Sequence, residues 1–172
     1  IGSRTMHYAV TATHNLPTIV FIHGTPASWF RFEKLMLDPE LRHLLRMVAI
    51  DRPGFGYSDF GKALPLREQC DLILPIIKQL KDEQPLFICG HSYGAAVAAQ
   101  LVADAPDLFE KLILVAGAID PAQEKKESWG LHKEIITQLM PGAYRPFYKE
   151  LRYFKEDLLT LGKDLPGIRI PV

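Results

Sequence analysis

Gly90-His91-Ser92-Tyr93-Gly94 places a serine between two glycines, each two residues away. That spacing suits a serine held at a sharp reversal between a strand and a helix. Side chains two residues to either side would collide there, and glycine has none. A strand-like run, Leu86–Cys89, enters the turn, and an alanine-rich run that favours helix, Tyr93–Ala103, leaves it. Ser92 then sits at a helix N-terminus, where the dipole and free N–H groups favour developing negative charge. The chemistry this serves is nucleophilic attack by Ser92 on an acyl carbon, with Gly90 and Gly94 in support. The plainer alternative is a glycine-rich turn with an incidental serine. His91 is read as structural, because neighbours at a tight turn diverge and a general base must reach the hydroxyl.

Acyl transfer also needs N–H donors aimed at the developing oxyanion, and losing one commonly costs about 2.7–4 kcal/mol of transition-state stabilisation. The helix start supplies the N–H of Tyr93. His23-Gly24-Thr25-Pro26 follows the continuous apolar run Thr18–Ile22 and is the candidate for the second. Gly24 allows close backbone approach, the N–H of Thr25 is assigned as donor, and His23 holds the loop by hydrogen bonds. A plain Gly-Pro turn is the alternative. Trp29, close to this loop, is a candidate substrate contact.

The elements that must position these groups alternate. Met6–Val10, Thr18–Ile22, Arg46–Ile50, Leu86–Cys89 and Lys111–Ala116 read as strands. Phe30–Leu37, Glu40–Leu45, Leu66–Lys81 (with a kink expected at Pro75) and Tyr93–Ala103 read as helices. Strand alternating with helix predicts an α/β fold, a mostly parallel sheet and ligands at the carboxyl ends of its strands. After Asp120 the character changes to a charged, aromatic-rich, helical pattern. The expected division is a core over 1–120, a helical cap or lid over 121–166, and the start of a further core strand over 167–172.

Composition narrows the partners. Twenty Lys and Arg balance twenty Asp and Glu, so nothing favours a nucleic acid. The longest apolar runs fall short of a bilayer span, and no secretory signal pattern opens the chain, although Ile1 reads as a clipped end. The two cysteines are too few for a disulfide framework, which points to a reducing, cytoplasmic setting. Cys89 reads as a small buried residue, with a reactive thiol as the alternative. The histidines lack metal-ligand spacing, so no metal or cofactor is expected. The expected partner is a small molecule.

The motifs His23-Gly24-Thr25-Pro26, Asp51-Arg52-Pro53-Gly54-Phe55-Gly56-Tyr57-Ser58 and Gly90-His91-Ser92-Tyr93-Gly94, in this order, resemble the α/β-hydrolase superfamily. The likeness is to its cap-bearing esterases, lipases, epoxide hydrolases, dehalogenases, haloperoxidases and carbon–carbon bond hydrolases. The resemblance implies Ser92 as nucleophile. Dehalogenases and epoxide hydrolases carry Asp there, so serine points to esters and related acyl compounds. Asp51 is read as part of a structural loop. The family order of serine, acid, histidine places the last two beyond Val172, since His132 and Asp120 fit neither role. The remainder is expected in a second chain or a missing segment completing the sheet and triad, and these residues alone are expected to be inactive or nearly so. Alternatives are a non-catalytic receptor on the same fold, or a C–C hydrolase or haloperoxidase with the same triad.

Overall fold

A computed structural model describes residues 4–11, 15–59, 61, 63–122 and 145–172. Five strands form one sheet: β1 (Tyr8–Val10), β2 (Thr18–Ile22), β3 (Arg46–Ile50), β4 (Leu86–His91) and β5 (Lys111–Val115). Their spatial order is β1-β3-β2-β4-β5. Only the β1–β3 pair is antiparallel; the other three pairs are parallel. β2 and β3 are buried along their whole length, which is why TIVFI and RMVAI show no polar alternation. The exceptions are the first residues, Thr18 and Arg46, and the Arg46 guanidinium donates to the Leu80 carbonyl.

Register places the site. Ile22 lies opposite Ile50 on one side and Gly90 on the other. The segments that follow Ile22, Ile50 and His91 therefore leave the sheet at the carboxyl ends of its strands, side by side.

Between β2 and β3 the expected first helix is split into a 3-10 turn, Trp29–Phe32, and α1 (Glu33–Leu37). α2 (Pro39–Leu44) follows, started by Asp38, whose side chain accepts the Leu41 N–H, and by Pro39 in the first turn. α3 (Leu66–Leu80) runs through Pro75 as one helix. α4 (Tyr93–Asp104) is buried along most of its length, and small alanines let it lie close to the sheet.

The expected lid is only partly described. Within 121–166, residues 123–144 lie outside the described residues, and His132 with them. α5 (Arg145–Asp164) is a single helix. Its buried face, Pro146, Glu150, Phe154, Leu158 and Leu161, carries Phe154, Leu158 and Leu161 into the main hydrophobic core with α3 and α4. The helix thus shares the core of the sheet domain, because its apolar stripe recurs every three to four residues and needs a partner surface. Residues 167–172 were expected to begin a further core strand; 168–172 carry no strand assignment in the structure. A short 3-10 turn, Leu165–Gly167, precedes them, and one backbone bond, Leu112 N–H to the Pro171 carbonyl at 3.0 Å, ties them to β5.

α5 also supplies a titrating contact. Asp157 accepts the Leu66 N–H at 3.0 Å, at the start of α3. Burial pushes its carboxyl up to about 6, opposed by that hydrogen bond and reinforced by Glu156, Glu150 and Glu68. Its native pKa lies above its unfolded value, so the native state holds the proton more tightly and stability falls as pH rises through about 6. Asp157→Asn keeps an oxygen for Leu66. We expect it to melt above the parent protein at neutral pH and to converge with it below about pH 4. Melting curves that stay parallel across that range would contradict this assignment.

Candidate active site

Ser92 is the joint between β4 and α4. Its backbone lies at φ 54°, ψ −122°, a region that costs a non-glycine residue roughly 1–3 kcal/mol. Hydrogen bonds hold it there: its N–H donates to the Val115 carbonyl at 2.9 Å, and its carbonyl accepts from Ala95 N–H at 2.9 Å and Ala118 N–H at 3.4 Å. The flanking glycines are required by contact. A Cβ at Gly90 would stand 2.3 Å from the Gly94 carbonyl oxygen, and one at Gly94 would stand 2.2 Å from the Ile22 carbonyl oxygen. The turn after β5 completes the clamp, with Ala116 at φ 48°.

The loop after β2 packs on this turn. A Cβ at Gly24 would lie 2.9 Å from Ser92 Cβ and 3.0 Å from the His91 carbonyl oxygen, so only glycine lets the two meet. His23 is fully buried. Its Nε2 accepts the Arg52 N–H at 3.0 Å, so its proton is on Nδ1, which donates to the Gly24 carbonyl at 2.6 Å. Burial first, and Arg52 second, hold this imidazole well below its ordinary pKa, and it stays neutral. The Thr25 N–H meets no acceptor among the described residues. The N–H of Tyr93, first in its helix, is free of the intrahelical ladder.

Beside this loop, Asp51 organises the segment after β3. Its carboxylate accepts from Trp29 N–H at 2.7 Å, Tyr57 N–H at 3.0 Å and His7 Nδ1 at 2.8 Å. Trp29 is thereby drawn to Asp51, and its ring lies against His7 and Phe30. Asp120 accepts the Ala122 N–H at 2.8 Å, as a turn residue does. Burial raises the Cys89 thiol pKa, which keeps it protonated.

Sequence reading missed one assembly: Arg52, Gln69 and Glu150, all buried, with Arg52 and Glu150 forming an ion pair at 2.7 Å. The Arg52 guanidinium lies 4.6 Å from the ring centroids of both Phe55 and Tyr93. Tyr93 also stacks on Phe154. The available signal was a glutamate on the apolar stripe of α5; its partner lies 98 residues away.

Chemically, the arrangement sets the Ser92 hydroxyl at a turn beside backbone N–H groups that meet no acceptor among the described residues. Among the described residues no imidazole or carboxylate hydrogen-bonds that oxygen, and no cluster could hold a metal ion. No described helix is long and apolar enough to cross a membrane.

A family profile described as "alpha/beta hydrolase fold" matches residues 17–152. The chain is 25% identical over 162 residues to Epoxide hydrolase 3 of Mus musculus, covering 91% of this chain and 41% of that protein. It is 28% identical over 151 residues to a pimeloyl-[acyl-carrier protein] methyl ester esterase of Neisseria meningitidis serogroup A, covering 87% and 46%. The solved monoacylglycerol lipase of Paleococcus ferrophilus superposes with a TM-score of 0.70 at 17% identity, covering 98% of this chain and 76% of that one. The chain spans from 27% to 56% of the length of the curated relatives it matches.

Proposed function

The chain belongs to the alpha/beta hydrolase fold family, and on that premise we propose that it carries the nucleophile and oxyanion donors of a serine hydrolase for a small apolar ester or related acyl compound. One observation supports this above others: the strained turn at Ser92, packed against Gly24 so closely that no larger residue fits.

In this reading Ser92 Oγ adds to the carbonyl carbon while the carbonyl electron pair moves onto oxygen. The N–H groups of Thr25 and Tyr93 receive that oxyanion. The leaving alcohol departs as the tetrahedral intermediate collapses to an acyl-serine, which water then hydrolyses. A base must take the serine proton and return it to the leaving group. In the family's chain order, the acid and histidine that do this follow the serine. A relative named as an epoxide hydrolase raises a neighbouring chemistry. A hydroxyl nucleophile at position 92 favours acyl substrates over epoxides.

The test is turnover of p-nitrophenyl esters of increasing acyl length by the complete protein, with acid quench and mass analysis of the Ser92 peptide. An initial burst and one acyl group on Ser92 are expected. Hydrolysis of styrene oxide without acylation would overturn the reading, and saturable ester binding without turnover would identify a receptor.

A further inference from the structure

Resting on that reading of Ser92 and Thr25, we infer that Arg52, held by Glu150, is a positioning residue that aims and strengthens the oxyanion donor at Thr25. The argument begins with one peptide unit. The Gly24 carbonyl and the Thr25 N–H belong to the same planar amide, which is trans, so fixing the oxygen fixes the opposite direction of the N–H. That oxygen is held twice, by Arg52 Nη2 at 3.0 Å and by His23 Nδ1 at 2.6 Å. The preceding carbonyl, of His23, accepts from Arg52 Nε at 2.8 Å. One guanidinium therefore grips two successive peptide units of the oxyanion loop.

Every N–H of that guanidinium is used. The remaining three donate to Gln69 Oε1 at 2.8 Å and to the two Glu150 carboxylate oxygens at 2.7 and 3.2 Å. Its face covers the ring of Tyr93, the residue whose N–H is the other donor. Thus one side chain touches both halves of the oxyanion site. A cation donating to a carbonyl oxygen also draws electron density from the N–H of the same amide and makes it a stronger donor.

A purely structural role accounts for this less well. Taking an arginine and a glutamate wholly out of water is expensive, and apolar residues of similar volume commonly do as well for stability. The Arg–Glu pair supplies what apolar packing lacks, a fixed direction and a field at the Gly24–Thr25 amide. It also makes α5 part of the site, since Glu150 is the fork that keeps the guanidinium in plane.

The test compares the complete protein with Arg52→Lys, whose ammonium cannot serve five acceptors, and with the charge-free pair Arg52→Met/Glu150→Leu. The readouts are thermal melting, the rate and concentration dependence of Ser92 phosphonylation by a fluorophosphonate, and the amide proton shift of Thr25. Both variants should melt cooperatively. Their maximal phosphonylation rate should fall roughly tenfold to a hundredfold, with the half-saturating concentration changed by no more than about twofold. The Thr25 amide proton should move upfield. A folded variant that reacts at the parent rate with an unmoved Thr25 resonance overturns the inference. If the parent protein itself is not phosphonylated at Ser92, the reading of the nucleophile fails, while the Thr25 shift still reports on Arg52. Should neither variant fold, the parent decides: on phosphonylation the Thr25 amide and Arg52 Nε protons should both move, and an adduct that leaves both in place overturns the inference.

Discussion

Ser92→Ala is expected to abolish covalent labelling by a serine-directed fluorophosphonate and to lower ester turnover by up to roughly a million-fold where the rest of the triad is assembled. The size of the effect follows from the site. Among the described residues Ser92 carries the hydroxyl at the joint of β4 and α4, and Gly24 lies against its Cβ. Alanine keeps that Cβ and can occupy the same backbone, so the hydrogen bonds to Val115, Ala95 and Ala118 are retained and the melting temperature should hardly move. An unchanged labelling rate in a well-folded Ser92→Ala protein would place the nucleophile elsewhere.

Gly94→Ala should be among the most damaging single methyl groups in the described structure. Its Cβ would stand 2.2 Å from the Ile22 carbonyl oxygen, 2.5 Å from that of His23 and 2.8 Å from the Ile22 carbonyl carbon. All three are backbone atoms, so no rotamer change relieves the contact. Strand β2 cannot retreat, because Ile22 is paired with Ile50 and Gly90 at once. Overpacking of flexible side chains costs about 1–3 kcal/mol, and a clash between backbones belongs at or above the upper end. A loss of about 3 kcal/mol lowers the melting temperature of a chain this size by roughly 6–12 °C. The shift of His23 also moves the Gly24–Thr25 amide, so fluorophosphonate labelling should fall with stability. Gly162 on the exposed side of α5 is the control: a Cβ there meets nothing within 4 Å, and Ala should gain up to about 1 kcal/mol of helix propensity. Calorimetry on the two variants separates them. Equal melting temperatures would mean that the approach of β2 to α4 is not as tight as described.

Much of this was legible in the sequence because it is local. Apolar runs of five residues read as strands and proved to be β2 and β3, buried on both faces. The elbow was legible because its steric demand falls at fixed offsets: the residues that would collide are positions 90 and 94, and both are glycine. His23 as a loop-holding residue was legible for a similar reason, since its partner Gly24 is its neighbour.

What the sequence could not give was pairing across the fold. Nothing in a one-dimensional pattern says that Arg52 meets Glu150, 98 positions on, or that His7 meets Asp51. Nor does it say that β1 joins β3 antiparallel at one edge, or that the Pro171 carbonyl accepts the Leu112 N–H of β5. α5 read as part of a separate helical segment, because an amphipathic stripe declares that a helix needs a partner and not which surface supplies it. Backbone sterics act between residues a few places apart and are written in order along the chain. Charge pairing and layer packing act between surfaces that only the folded arrangement brings together.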